Sequence, residues 1–114
     1  MAGYLTTHVL DTALGRPASG LSIVLYRLDA EGRHEVGRAV TNADGRTDGP
    51  ILPEAAFARG TYELIFDAGA YLAAAGLPTN FLDLVSVRFR MDAADHYHVP
   101  LLLSPFGYST YRGS

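Results

Sequence analysis

The chain has 114 residues, a formal charge of −3 and no cysteine, which excludes a disulfide framework and thiolate chemistry. Hydrophobic residues at 48% against 18% charged give the balance of a folded domain large enough to bury a core. The negative net charge argues against a nucleic-acid binder, which needs a basic stripe.

Short alternating runs separated by Gly, Pro, Asn and Asp dominate the chain in order. Tyr4–Leu10 predicts a strand with Leu5, Thr7 and Val9 on one face and Thr6, His8 and Leu10 on the other. Leu21–Leu28 predicts a second, with Leu21, Ile23 and Leu25 together. Glu35–Thr41 predicts a third, closed by the turn chemistry of Asn42-Ala43-Asp44-Gly45. Thr61–Asp67 and Leu84–Met91 give the clearest period of two: Tyr62, Leu64 and Phe66 share a face, and Val85, Val87, Phe89 and Met91 oppose Ser86, Arg88 and Arg90. Between them Asp67–Gly76 reads as a short helix, capped by Asp67, favoured by its alanines and stopped by Gly76. In the next strand His96, His98, Pro100 and Leu102 alternate with Tyr97, Val99, Leu101 and Leu103. Ser104-Pro105-Phe106-Gly107 is a turn, and Tyr108–Arg112 is expected to return beside the strand and bring Ser109 or Tyr111 near His98.

These elements predict an all-β fold, an antiparallel β-sandwich of seven to eight strands with one short helix, in a single domain over residues 1–114. Exposed sheet edges need protection, and edge-to-edge pairing makes an oligomer the expectation. Met1–Gly15 lacks a basic start followed by an apolar run. Ala68–Leu82, the longest stretch free of Asp, Glu, Arg and His, is broken by Gly69, Gly76 and Pro78 and is too short for a bilayer. The expectation is a cytoplasmic protein without membrane contact.

Histidine transfers protons most readily near neutral pH. His8 and His98 both fall on faces opposite the expected core positions. His34, between Arg33 and Glu35, reads as a solvated loop residue. The His96-x-His98 pair offers two metal ligands on one strand, but no Cys and no acidic residue at useful spacing completes a tetrahedral site, so no metal or other cofactor is expected. Arg46, just after the turn, is either a solvated partner of Asp44 or Asp48 or a rigid clamp for a carbonyl-bearing substrate. No nucleophile elbow, phosphate loop or dinucleotide fingerprint occurs, which favours activation of water over a covalent nucleophile.

Three segments carry a family resemblance: Leu5-Thr-Thr-His-Val-Leu-Asp-Thr12 with Gly15-Arg-Pro-Ala18; Thr41-Asn-Ala-Asp-Gly-Arg46; and His96-Tyr-His-Val-Pro-Leu-Leu-Leu-Ser-Pro105 running to Tyr108-Ser-Thr-Tyr-Arg-Gly-Ser114. In these the chain resembles the transthyretin-like family, and its closing Tyr-Arg-Gly-Ser resembles the hydrolase branch that opens 5-hydroxyisourate in purine breakdown. The resemblance implies a sandwich that dimerises by edge strands, with two dimers forming a homotetramer around a channel that holds the sites. It implies a catalytic set of His8, Arg46 and His98, with Tyr111, Arg112, Gly113 and Ser114 completing the substrate pocket.

The expected reaction is attack of water on a cyclic amide. His98 acts as general base, Arg46 and Arg112 stabilise the developing negative oxygen, and His8 or the Tyr111 hydroxyl protonates the departing nitrogen. Sequence leaves open which histidine is base and which acid, and whether Ser114 orients substrate or water. A carrier that binds an aromatic molecule in the same channel is the alternative. His8, His98 and Tyr111 would narrow and polarise that channel, which favours the hydrolase.

Overall fold

A computed structural model describes residues 2–114. Met1, counted in the expected domain, lies outside them. Among the described residues eight strands follow in order, β1 (Tyr4–Asp11), β2 (Arg16–Pro17), β3 (Ser22–Asp29), β4 (Gly32–Val40), β5 (Gly60–Asp67), β6 (Leu84–Met91), β7 (His96–Ser104) and β8 (Gly107–Thr110). The helix α1 (Ala68–Ala74) links β5 to β6, and a single 3-10 turn, Glu54–Ala56, precedes β5. The strands form two four-stranded sheets, ordered β2-β1-β7-β8 and β4-β3-β5-β6.

Alternation decides which residues meet between the sheets. Leu5 and Val9 of β1, Leu21 before β3, and Ile23 and Leu25 within it are fully buried. They pack with Tyr62, Leu64 and Phe66 of β5, Val85 and Met91 of β6, and Tyr97, Val99, Leu101 and Leu103 of β7. Each such side chain contributes about 1.5–3 kcal/mol of hydrophobic stabilisation. Thr7 falls on the same inward face, and its hydroxyl donates to the Val99 carbonyl at 2.7 Å. Asp11 is buried too; its carboxylate accepts from the Tyr71 hydroxyl at 2.6 Å and from the Leu14 amide at 2.9 Å. Burial is the main reason the Tyr71 hydroxyl is pushed up to about 12, with its bond to Asp11 second. The helix begins as its sequence predicts, with the Asp67 carboxylate accepting from the Ala70 amide at 3.2 Å.

Three expectations change. The sandwich is not wholly antiparallel: β1 runs parallel to β7, pairing Tyr4 with His96, Thr6 with His98 and His8 with Pro100. His34 stands in β4, not a loop, paired with Arg27, with its Nε2 3.1 Å from Asp29 Oδ1 in solvent. The third difference is the register of β8. The two-residue turn Pro105-Phe106 pairs Ser104 with Gly107, so Ser109 falls opposite Leu102. The residue facing His98 is Gly113, whose amide donates to the His98 carbonyl at 2.7 Å.

Candidate active site

The outer face of β1 and β7 carries Tyr4, Thr6 and His8 beside His96 and His98, because the parallel register aligns the outward positions of both strands. Arg46 arrives from a separate segment. Asn42 shapes its turn: the side-chain carbonyl accepts from the Asp44 amide at 2.9 Å and the Arg46 amide at 3.2 Å. The turn then docks on the side of β1 that the two-residue β2 leaves uncovered, where the Val9 amide donates to the Gly45 carbonyl at 2.8 Å. Gly45 has φ +72°, and a Cβ there would collide with the Val9 carbonyl oxygen, so no larger residue allows this approach. The result is a bridge between His8 and Arg46.

A cleft of about 430 Å³ opens over this face, lined by Thr6, Arg46, His96, His98 and Ser114 with the loop from Thr47 to Pro50. His8 lies beside this set, its ring centroid 6.3 Å from that of His98. Burial lowers the pKa of His98, and the Arg46 guanidinium lowers it further, followed by His8 and His96. Burial and then Arg46 lower His8 in the same direction. Both imidazoles are therefore held neutral at neutral pH, as a base for water requires. Arg46 is exposed, and among the described residues it joins none of the ion pairs, so its donors face the cleft unspent.

Of the residues named from sequence, His8, Arg46, His98, Gly113 and Ser114 converge here. Tyr111 and Arg112 line a second cleft, against Val87, Phe89 and Thr110. The Arg112 guanidinium carbon lies 4.2 Å from the Tyr97 ring centroid and a guanidinium nitrogen 4.0 Å from Asp95 Oδ2, so within this chain it serves other partners. Sequence reading missed Thr6, whose hydroxyl oxygen lies 2.7 Å from both His98 Nδ1 and His96 Nε2. Its place on the His8 face was legible; its contact with His98 depends on the parallel pairing. Among the described residues no cluster of three or more His, Asp or Glu forms a metal site.

A two-sheet sandwich of this topology, with an imidazole-lined cleft on one outer face, is of the transthyretin class. The chain belongs to the HIUase/Transthyretin family, whose model matches residues 5–113. It is 63% identical to 5-hydroxyisourate hydrolase 2 of Rhizobium meliloti (strain 1021), over 99% of this chain and 98% of that one. Among solved structures, (S)-allantoin synthase superposes with a TM-score of 0.92 at 48% identity. That match covers 99% of this chain and 44% of the synthase, so this chain spans less than half of its length. Sea bream transthyretin in complex with thyroxine superposes with a TM-score of 0.87 at 30% identity, covering 96% of this chain and 93% of that one.

Proposed function

We propose that the protein hydrolyses 5-hydroxyisourate to 2-oxo-4-hydroxy-4-carboxy-5-ureidoimidazoline. One observation carries the reading: Arg46 and His98, from separate segments, line one cleft, and His8 is bridged to Arg46 with its ring centroid 6.3 Å from that of His98. That set matches a reaction needing a base that takes a proton from water and later returns it, and a group that stabilises developing charge. The likeness to the Rhizobium hydrolase over nearly all of both chains supports the substrate.

Water attacks the ring carbonyl while the cleft-facing nitrogen of His98 takes its proton. The Arg46 guanidinium receives the negative charge that develops on the carbonyl oxygen, a charge largely absent in the ground state. The proton that His98 takes from water is then returned to the departing nitrogen, directly or by relay through His8, and Ser114 with Gly113 shapes the end of the cleft nearest His98. The reaction as proposed uses no metal or cofactor.

The functional unit we propose is a cytoplasmic homotetramer. Its supports are the unpaired edges of β6 and β8 and an exposed apolar group that includes Phe81 and Phe106, whose centroids are 6.3 Å apart. In that assembly Tyr111 and Arg112 complete the site of a facing subunit. No helix among the described residues is long and apolar enough to cross a membrane.

A coupled ultraviolet assay tests the reading, with urate oxidase generating 5-hydroxyisourate in place. The expected result is a faster decay of its absorbance when this protein is added. No acceleration by folded protein rejects the hydrolase and leaves the carrier. The same assay serves a first variant. A Cβ at Gly113 would sit 2.6 Å from His98 Cδ2 and push the ring. Gly113→Ala should therefore cost about 10- to 100-fold in kcat, the scale of a misplaced catalytic group, with an unchanged circular dichroism spectrum.

A further inference from the structure

Thr6 stands between two imidazoles on the outer face of β1 and β7. Its Oγ1 is 2.7 Å from His98 Nδ1 and 2.7 Å from His96 Nε2; the Tyr97 carbonyl, at 3.5 Å, is a much longer third contact. A hydroxyl has one proton to give and lone pairs to receive. With both nitrogens at bonding distance, Thr6 donates to one ring and accepts an N–H from the other.

The two arrangements have opposite consequences for His98. In one, Thr6 donates to His96 Nε2 and receives the Nδ1–H of His98, which leaves the lone pair on His98 Nε2. In the other, Thr6 donates to His98 Nδ1, and the proton of His98 sits on Nε2, where it cannot accept one from water. The ring is also fixed in space. Its Nδ1 is against Thr6 and its Cδ2 is against Gly113, so the remaining Cε1–Nε2 edge is the one free to meet a substrate. His96 is itself held flat, stacked on Tyr4 with centroids 4.2 Å apart and planes 7° from parallel. The β-branched Thr6 has few rotamers through which to move its oxygen.

We infer that Thr6 and His96 are positioning residues that hold His98 as the Nδ1–H tautomer, with its Nε2 lone pair turned to the cleft. Neither touches the reacting atoms. The inference rests on the hydrolase reading for its purpose but not for its measurement, because the tautomer exists in the resting protein.

The test is a long-range ¹⁵N–¹H spectrum of the imidazoles without substrate, together with kcat and KM for 5-hydroxyisourate. In the wild type His98 should show the proton on Nδ1. Thr6→Val keeps the shape and removes the hydroxyl; His98 should then move toward the Nε2–H tautomer. Its kcat should fall about tenfold, the size of one lost hydrogen bond, with KM changed less than about threefold. Thr6→Ser should restore both tautomer and rate. His96→Phe keeps the stack on Tyr4, removes the acceptor, and carries the same test where Thr6→Val does not fold. A wild-type His98 protonated on Nε2, or a folded Thr6→Val with unchanged tautomer and a rate within twofold, overturns the inference. An inactive wild type with the expected tautomer instead rejects the hydrolase reading and leaves the positioning device in place.

Discussion

His98→Asn is expected to lower kcat for 5-hydroxyisourate by about 10²–10⁴-fold, the range found when a general base is removed. The substitution is chosen to isolate chemistry. The Asn amide reaches roughly where Nδ1 lies and can still bond Thr6, so the hydroxyl is not stranded. What Asn cannot supply is a basic nitrogen at the Cε1–Nε2 edge. Stability should change by less than about 1 kcal/mol, because His98 is half-buried on the outer face and takes no part in the core. His34→Asn is the matched control, since His34 is exposed and bonded only to Asp29. It should leave kcat unchanged. Stopped-flow decay of the substrate, with urea melts of each variant, decides the matter. A folded His98→Asn protein retaining a tenth of the wild-type rate places the base elsewhere, with His8 the next residue to change.

How far this site could be read from sequence depends on what a period of two encodes. It says which side chains share a face. It does not say which strand lies alongside or in which direction. The runs in β3, β5 and β6 therefore revealed their buried residues, and the outward positions of His8 and His98 were legible in the same way. The parallel pairing of β1 with β7 was not, because its partners are about ninety positions apart and alternation reads alike in both directions. Thr6 as a neighbour of His98 was lost with it. Local turn chemistry did better: Asn42–Gly45 and the Asp67 cap act through nearest neighbours and form as their residues dictate. The hairpin after β7 shows the limit, for its turn was identified while its register was not, and a shift along β8 separates Ser109 from Gly113 opposite His98. The two-residue β2 is too short to carry a period at all, and the exposed β4 has no clean alternation to display.

Arg46→Gln should cost about 10²–10³-fold in kcat, the loss seen on removing one stabiliser of a developing oxyanion. It should also move the acid limb of the rate profile, and that second effect separates electrostatics from simple binding. In the wild type, burial first and the Arg46 cation second hold His98 below its ordinary value of 6.5. The base stays unprotonated into mildly acidic solution, and the rate should persist below pH 6.5. Without the guanidinium the folded pKa rises toward 6.5 but does not reach it, because burial remains. The acid limb of kcat/KM should accordingly shift upward in pH. Stability follows the same sign. With depressed folded values for His8 and His98, the unfolded chain binds more protons, so stability falls as pH drops through 6.5 toward those values. Arg46→Gln should shrink that fall, read as the change in urea midpoint between pH 7.5 and pH 5.5. If the rate drops and neither the acid limb nor the midpoint difference moves, Arg46 touches the substrate alone and another group holds the histidines neutral. If both move together, one guanidinium keeps the base free and receives the charge the base creates, which explains why a turn from another segment is locked against β1 by a glycine.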